Sequence, residues 1–109
     1  PAGGRTRAVF GMLRDKDAVG VIEQLQPFVD EWLVVSLGGP RGAEASVLVD
    51  ALARLGVGEA VTVCDGVAEA MAAAAGASAG DDRILVFGSF LTVAAAQRVL
   101  RETAAAGSV

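Results

Sequence analysis

Short apolar runs alternate along this chain with segments in which apolar residues recur at helical spacing, the arrangement expected of a parallel sheet crossed by helices. The class is therefore α/β. The first run, Ala8-Val9-Phe10-Gly11-Met12-Leu13, is apolar on both faces, as a strand buried in a parallel sheet must be, and it stops at Arg14-Asp15-Lys16-Asp17. Ala18, Val21, Ile22, Leu25 and Val29 then trace one helical stripe, which Pro27 ends or kinks. Trp32 to Leu37 reads as a second strand and Gly38-Gly39-Pro40-Arg41-Gly42 as the loop after it. The next helix is expected from about Glu44 to Leu55, with the stripe Val47, Leu48, Ala51, Leu52 and Leu55 and a C-terminal cap at Gly56.

Val61 to Cys64 is a third strand, after which Asp65 is expected to cap a helix carrying Val67, Ala70, Met71, Ala74 and Ala75. A small-residue loop from Gly76 to Asp82 precedes Arg83-Ile84-Leu85-Val86-Phe87, the clearest buried strand in the chain. Beyond Gly88-Ser89-Phe90 a last helix runs from about Leu91 towards Ala105, and Ala106 to Val109 are expected to fray. No repeat at a solenoid period is present.

Composition narrows the chemistry. With 109 residues and 53% of them hydrophobic, the chain can bury one core and is read as one domain. A net charge of −4 argues against a nucleic-acid partner, because phosphate backbones attract basic faces. No apolar run approaches the ~20 residues of a bilayer span, so no membrane role is expected. Cys64 is the single cysteine, which rules out an internal disulfide and fits a reducing, cytoplasmic setting. The absence of histidine removes the commonest general base and transition-metal ligand, so a self-contained hydrolase or zinc site is disfavoured, and no metal ligand set is assigned.

In an open parallel sheet ligands bind beyond the C-terminal ends of the strands, which directs attention to the loops after Leu13, Leu37, Cys64 and Phe87. Arg14-Asp15-Lys16-Asp17 offers cations for a phosphate or a substrate carboxylate, but equally reads as a solvated turn in which Asp17 caps a helix. Gly88-Ser89-Phe90 stands at a strand-to-helix turn, where backbone N–H groups and the Ser89 hydroxyl can meet an anion; the plain alternative is that Ser89 is only a helix cap. It is not a serine-hydrolase elbow, since Gly-x-Ser-x-Gly is absent. Gly38 to Gly42 lacks the Gly-Lys-Ser/Thr of a phosphate loop, and Arg41 reads as a surface residue of a glycine turn. Cys64 reads as a small core residue.

Taken together, three segments carry a resemblance. Val9-Phe10-Gly11-Met12-Leu13-Arg14-Asp15-Lys16-Asp17, Gly39-Pro40-Arg41-Gly42-Ala43, and Leu85-Val86-Phe87-Gly88-Ser89-Phe90 with Thr92-Val93 are similar, in order and spacing from about Ala8 to Leu100, to signatures of the folate branch of the Mur ligase family. The resemblance implies a Rossmann-like, mostly parallel sheet with helices on both faces, and a C-terminal, glutamate-ligase domain over residues 1–109. It further implies an ATP-dependent ligase: ATP phosphorylates the carboxylate of dihydropteroate or a reduced folate, L-glutamate attacks the acyl phosphate, and an amide, ADP and phosphate result. In such proteins a central ATPase domain holds ATP and Mg²⁺, and the C-terminal domain closes over it with the incoming amino acid.

By the match, Ser89 contacts the incoming glutamate, Phe90 shapes its pocket and Arg14 lies near its carboxylate. Asp15, Lys16 and Asp17 face the nucleotide side of the cleft. There are two departures. Leu91 stands where many members of the family have histidine, and the family's P-loop and Asp-Gly-Ala-His-Asn-Pro segment are not in this sequence. No catalytic residue is therefore assigned within the chain, which is expected to be inactive alone because nothing in it cradles ATP phosphates with Mg²⁺. Two other readings remain open at this level: a free-standing Rossmann-like binding or regulatory module, and a ligase for a different amino acid.

Overall fold

The computed structural model describes residues 4–14, 16–38, 42–57, 60–88 and 90–106, with the side chains of 90, 91 and 103–106 outside that description. Among these residues four strands, β1 (Thr6–Phe10), β2 (Glu31–Val35), β3 (Val61–Cys64) and β4 (Arg83–Phe87), alternate with four α-helices, α1 (Ala18–Leu25), α2 (Ala45–Arg54), α3 (Val67–Ala77) and α4 (Phe90–Ala106), and a 3-10 turn at Gln26–Phe28 follows α1. All the strand pairs are parallel, and the sheet order is β3-β2-β1-β4. The expected α/β sheet with helices on both faces is what forms. Among the described residues no helix is long and apolar enough to cross a membrane.

Period-two alternation along the strands divides the core between the two faces. On one face Ala8, Phe10, Trp32 and Val34 pack with Ile22, Leu48 and Leu52 of α1 and α2. On the other, Val9, Leu33, Val35 and Cys64 pack with Ala70, Met71 and Ala74 of α3 and Ala96 of α4. The first face includes a cluster of three aromatic rings, with Phe10 5.6 Å from Trp32 and 4.9 Å from Phe87 between ring centroids. The second face uses alanines, so α3 can pack close to the sheet.

The division of helices follows from chirality. The chain steps from β1 to β2 to β3 in one direction with α1 and α2 on one face; β4 lies on the far side of β1, so the return crossover keeps its right hand only by using the opposite face. That reversal creates a switch point between β1 and β4, where the loops leaving the two strand tips part to opposite faces.

Several local expectations are corrected. Strands β1 and β2 begin and end earlier than their apolar runs, because Thr6 and Arg7 join the ladder while Met12 and Leu37 belong to the loops. Val47 is 55% exposed and Ala75 is exposed; Ala45 takes the buried place at the start of α2. The helix α3 extends to Ala77 into the expected loop. Strand β4 lies at an edge of the sheet with Ile84 to Phe87 half-buried, since α4 covers one face of it and no described strand pairs its outer side. Residues 107–109 lie outside the description.

At the N-terminal end of the sheet the polar groups are tied together. Arg7, 8% exposed, donates from Nε to Glu31 at 2.8 Å and from Nη1 to Asp82 at 2.7 Å and Ser78 at 3.2 Å. Asp82 also accepts the Arg5 N–H at 2.8 Å, and this bond, with those from Arg7 and the Ala79 N–H, holds its carboxyl below the usual range. In return the carboxylates of Asp82, first, and Glu31 push the Arg7 guanidinium further up.

Candidate functional site

The site is built at the opposite end of the sheet, from the backbone that leaves β1 and β4. Phe10 and Phe87 are partners in the parallel register, so the two strands end level with each other. Gly11, the first residue past β1, donates its N–H to the Phe87 carbonyl at 3.4 Å. Past β4, Gly88 has φ +109°, a conformation closed to most side chains; a Cβ there would also stand 2.5 Å from the Gly11 oxygen. A methyl group on Gly11 would in turn meet Val35 Cγ2 at 2.7 Å and Thr92 Oγ1 at 2.9 Å. Two glycines thus let the two strand exits touch.

From Gly11 the chain continues through buried Met12 into a turn in which Lys16 N–H donates to the Leu13 carbonyl at 3.2 Å. Arg14 and Lys16 are exposed in that turn, and Asp15 lies outside the described residues. Asp17 is the N-cap of α1: its Oδ1 accepts the Gly20 N–H at 3.0 Å, which satisfies one of the unpaired donors of the first turn. The capping alternative for Asp17 is therefore realised, and it coexists with a place on the rim of the cavity described below. Gly20 has no side chain, which leaves room for the Asp17 carboxylate against the helix.

The segment after β2 braces this turn. Ala43 donates its N–H to the Met12 carbonyl at 2.9 Å, and Leu13 and Gly42 form an antiparallel bridge. Ser36 Oγ accepts the Ala45 N–H at 2.7 Å, so a residue from the end of β2 caps α2. Gly39, Pro40 and Arg41 lie outside the described residues.

A cavity of about 600 Å³ opens where these elements meet, lined by Met12, Lys16, Asp17, Gly20, Val21, Gln24, Leu25 and Gly88. Its floor is apolar and its rim carries one cation, one carboxylate and one amide, so it can hold a small polar molecule by its charged groups and desolvate the rest. Lys16, Asp17 and the Gly88 turn come together at one end of the sheet, as the sequence led us to expect. Ser89 itself and the Phe90 side chain lie outside the description, although the Phe90 backbone opens α4 immediately beside the cavity. Val21 and Leu25 belong to the helical stripe, and Gln24 stands outside it; nothing in a stripe of helical spacing reveals that one side of α1 faces an opening rather than a neighbour. Thr92, a member of the third motif segment, is fully buried and donates its hydroxyl to the Gly11 carbonyl at 2.9 Å.

Other candidates fall away. Cys64 is buried, and desolvation, followed by the nearby Glu69 and Asp65 carboxylates, pushes its thiol up, so it stays protonated and inert. Asp65 does not cap α3: Gly66 holds that position, and the Glu69 carboxylate reaches back to accept the Asp65 N–H. No group of three or more His, Cys, Asp or Glu able to hold a metal occurs among the described residues.

Comparison with known proteins identifies the family and the fold. The model of the Mur ligase glutamate ligase domain matches residues 1–90. The dihydrofolate synthase/folylpolyglutamate synthase of Escherichia coli is 43% identical over 100 residues, 92% of this chain and 22% of that protein. The solved structure of E. coli FolC in complex with ADP, without folate substrate, superposes with a TM-score of 0.84 at 39% identity, covering 96% of this chain and 24% of that one. A bifunctional folylpolyglutamate synthase/dihydrofolate synthase with Mn, AMPPNP and L-glutamate bound matches with a TM-score of 0.81 at 38% identity, over 90% of this chain and 23% of that one. The chain thus spans about a fifth of the length of the curated relatives it matches. The four-stranded parallel sheet among the described residues and the match over residues 1–90 lead to one conclusion: this chain belongs to the Mur ligase glutamate ligase domain family.

Proposed function

We propose that this chain is the C-terminal domain of an ATP-dependent ligase that adds L-glutamate to dihydropteroate, a reduced folate, or both, and that its part is to bring the incoming glutamate to an acyl phosphate. The observation that carries this reading is the cavity between the tips of β1 and β4, with Lys16 and Asp17 on its rim and the Gly88 turn beside it. Support comes from the similar enzyme solved with L-glutamate and AMPPNP bound.

In this reading Arg14 and Lys16 supply positive charge for the carboxylates of glutamate and for phosphate oxygens, while Ser89 donates a hydroxyl to glutamate and Phe90 closes its pocket. Asp15 and Asp17 sit on the nucleotide side of the cleft. The Asp17 carboxylate is already engaged by the α1 N–H through one oxygen, which fixes the other in direction. Such fixed donors and acceptors lower the entropic cost of bringing amine and acyl carbon together.

ATP and Mg²⁺ belong, in this proposal, to a central ATPase domain that packs against this one. The described residues offer no cluster for a divalent ion. The setting is cytoplasmic, where ATP and folates are found together. The decisive test is Ser89→Ala in the complete natural protein. We expect the KM for glutamate to rise about tenfold or more, the size of a lost hydrogen bond to a charged group, with the KM for ATP little changed. An unchanged glutamate KM refutes the role of Ser89.

A further inference from the structure

Fully buried hydroxyls are rare without a reason, because leaving water costs more than a single weak bond returns. Thr92 is fully buried in the first turn of α4. A threonine so placed commonly bonds a carbonyl of its own helix or the chain just before it. Here the acceptor is Gly11, 81 positions away in sequence, at 2.9 Å. The bond therefore serves the joint between two elements rather than the helix.

The joint is tight on every side. The Gly11 N–H reaches the Phe87 carbonyl, and immediately afterwards Gly88, at φ +109°, turns the chain off the ladder. The Gly11 oxygen faces Gly88 so closely that a Cβ there would stand 2.5 Å from it, and Met12 Cγ lies 2.9 Å from the same point. Met12 is part of the floor of the cavity, and the turn at Leu13–Lys16 hangs directly from it. Any slip of Gly11 relative to α4 therefore moves Lys16 relative to the Gly88 turn.

We propose that Thr92 is a positioning residue for the amino-acid site: its hydroxyl bolts the start of α4 to the exit of β1 and so sets the separation between the Lys16–Asp17 rim and Gly88. Thr92 is not among the residues that line the cavity, so it acts through the backbone of Gly11. The catalytic consequence rests on the glutamate-binding reading given above; the bolt itself does not.

The experiment compares Thr92→Val, Thr92→Ser and Thr92→Ala in the complete natural protein by two readouts: steady-state KM for glutamate and for ATP from ADP release, and amide hydrogen exchange of residues 11–17. Valine keeps the shape and loses the hydroxyl, whereas serine keeps the hydroxyl. The Ser–Ala difference reads the hydroxyl on its own if the valine variant does not fold. The expected result is a roughly tenfold higher glutamate KM in T92V and T92A with the ATP KM within about twofold, and recovery to within about threefold of the parent in T92S. Exchange at residues 11–17 should quicken in T92V and T92A, while exchange in β3 stays as it was. Unchanged exchange at 11–17, or equal damage in T92S and T92A, overturns the bolt. Faster exchange with a parental glutamate KM overturns the positioning role. If the unsubstituted protein shows no glutamate-dependent turnover, the functional reading fails, and exchange alone still decides whether the bolt exists.

Discussion

Gly88 meets two demands at once, a backbone at φ +109° and a neighbour's carbonyl 2.5 Å from where a Cβ would stand. A glycine that met only the first could be replaced at the cost of strain alone. At Gly88 the neighbour is the backbone of β1's exit, which cannot swing aside as a side chain would. We expect Gly88→Ala to lower stability by about 1–3 kcal/mol, and to widen the gap between the two strand tips. The midpoint of urea unfolding checks the first expectation; no shift would mean that the turn relaxes freely. Residue-level chemistry was legible in the sequence where it is local: Asp17 precedes a helical stripe and does cap it. It was not legible where the partner is remote, as with the Thr92 hydroxyl and the Gly11 carbonyl.

At the level of elements, the ends of α2 show how local signals can succeed and fail in one helix. The C-terminal cap expected at Gly56 forms in full. Gly56 has φ +81°, its N–H donates to the Ala53 carbonyl at 3.0 Å, and the Val57 N–H donates to Leu52 at 2.9 Å, the paired bonds of a Schellman motif. Apart from its chain neighbours, no atom of the described residues lies within 4 Å of where a Cβ on Gly56 would be. Gly56→Ala should therefore cost only the left-handed strain, about 1 kcal/mol, and less than Gly88→Ala. Calorimetric melting of the two variants side by side tests the ranking. The N-terminal end was less readable. Glu44 makes no side-chain cap, and Ser36 from the end of β2 supplies the acceptor, a tertiary contact that no window along the helix contains. Val47 and Ala75 were assigned inward by hydropathy, but the rotation of each helix on the sheet turns them to solvent. An apolar run likewise identified β4 as a strand without telling that it would stand at an edge, because strand order depends on the crossovers.

Over the whole molecule the two ends of the sheet do different work. The C-terminal end holds the cavity; the N-terminal end is fastened by Arg7, Glu31 and Asp82. Composition did not foretell this fastening, since Arg7 precedes the first apolar run and its partners come from β2 and the loop before β4. Because the folded protein holds the Asp82 carboxyl below its ordinary range, Asp82 adds stability that is complete above the unfolded value of about 3.9 and drains away as pH falls through the lower folded value. Asp82→Asn should lower the urea midpoint at neutral pH, with the difference from the parent shrinking on acidification through that window. A difference independent of pH would show that the charge is not what matters. The candidate site was legible as separate loops, and the motif resemblance joined them; spacing alone could not place residue 16 beside residue 88, which required the reversal of sheet direction.

That reversal sets Phe10 and Phe87 level, with the exits of two strands far apart in sequence side by side. A guest that grips both exits ties together distant stretches of polypeptide and draws a long loop shut, much as a cross-link does. Occupancy and rigidity between β1 and β4 are thereby linked: whatever fills the opening is held by the fold, and holds the fold in return.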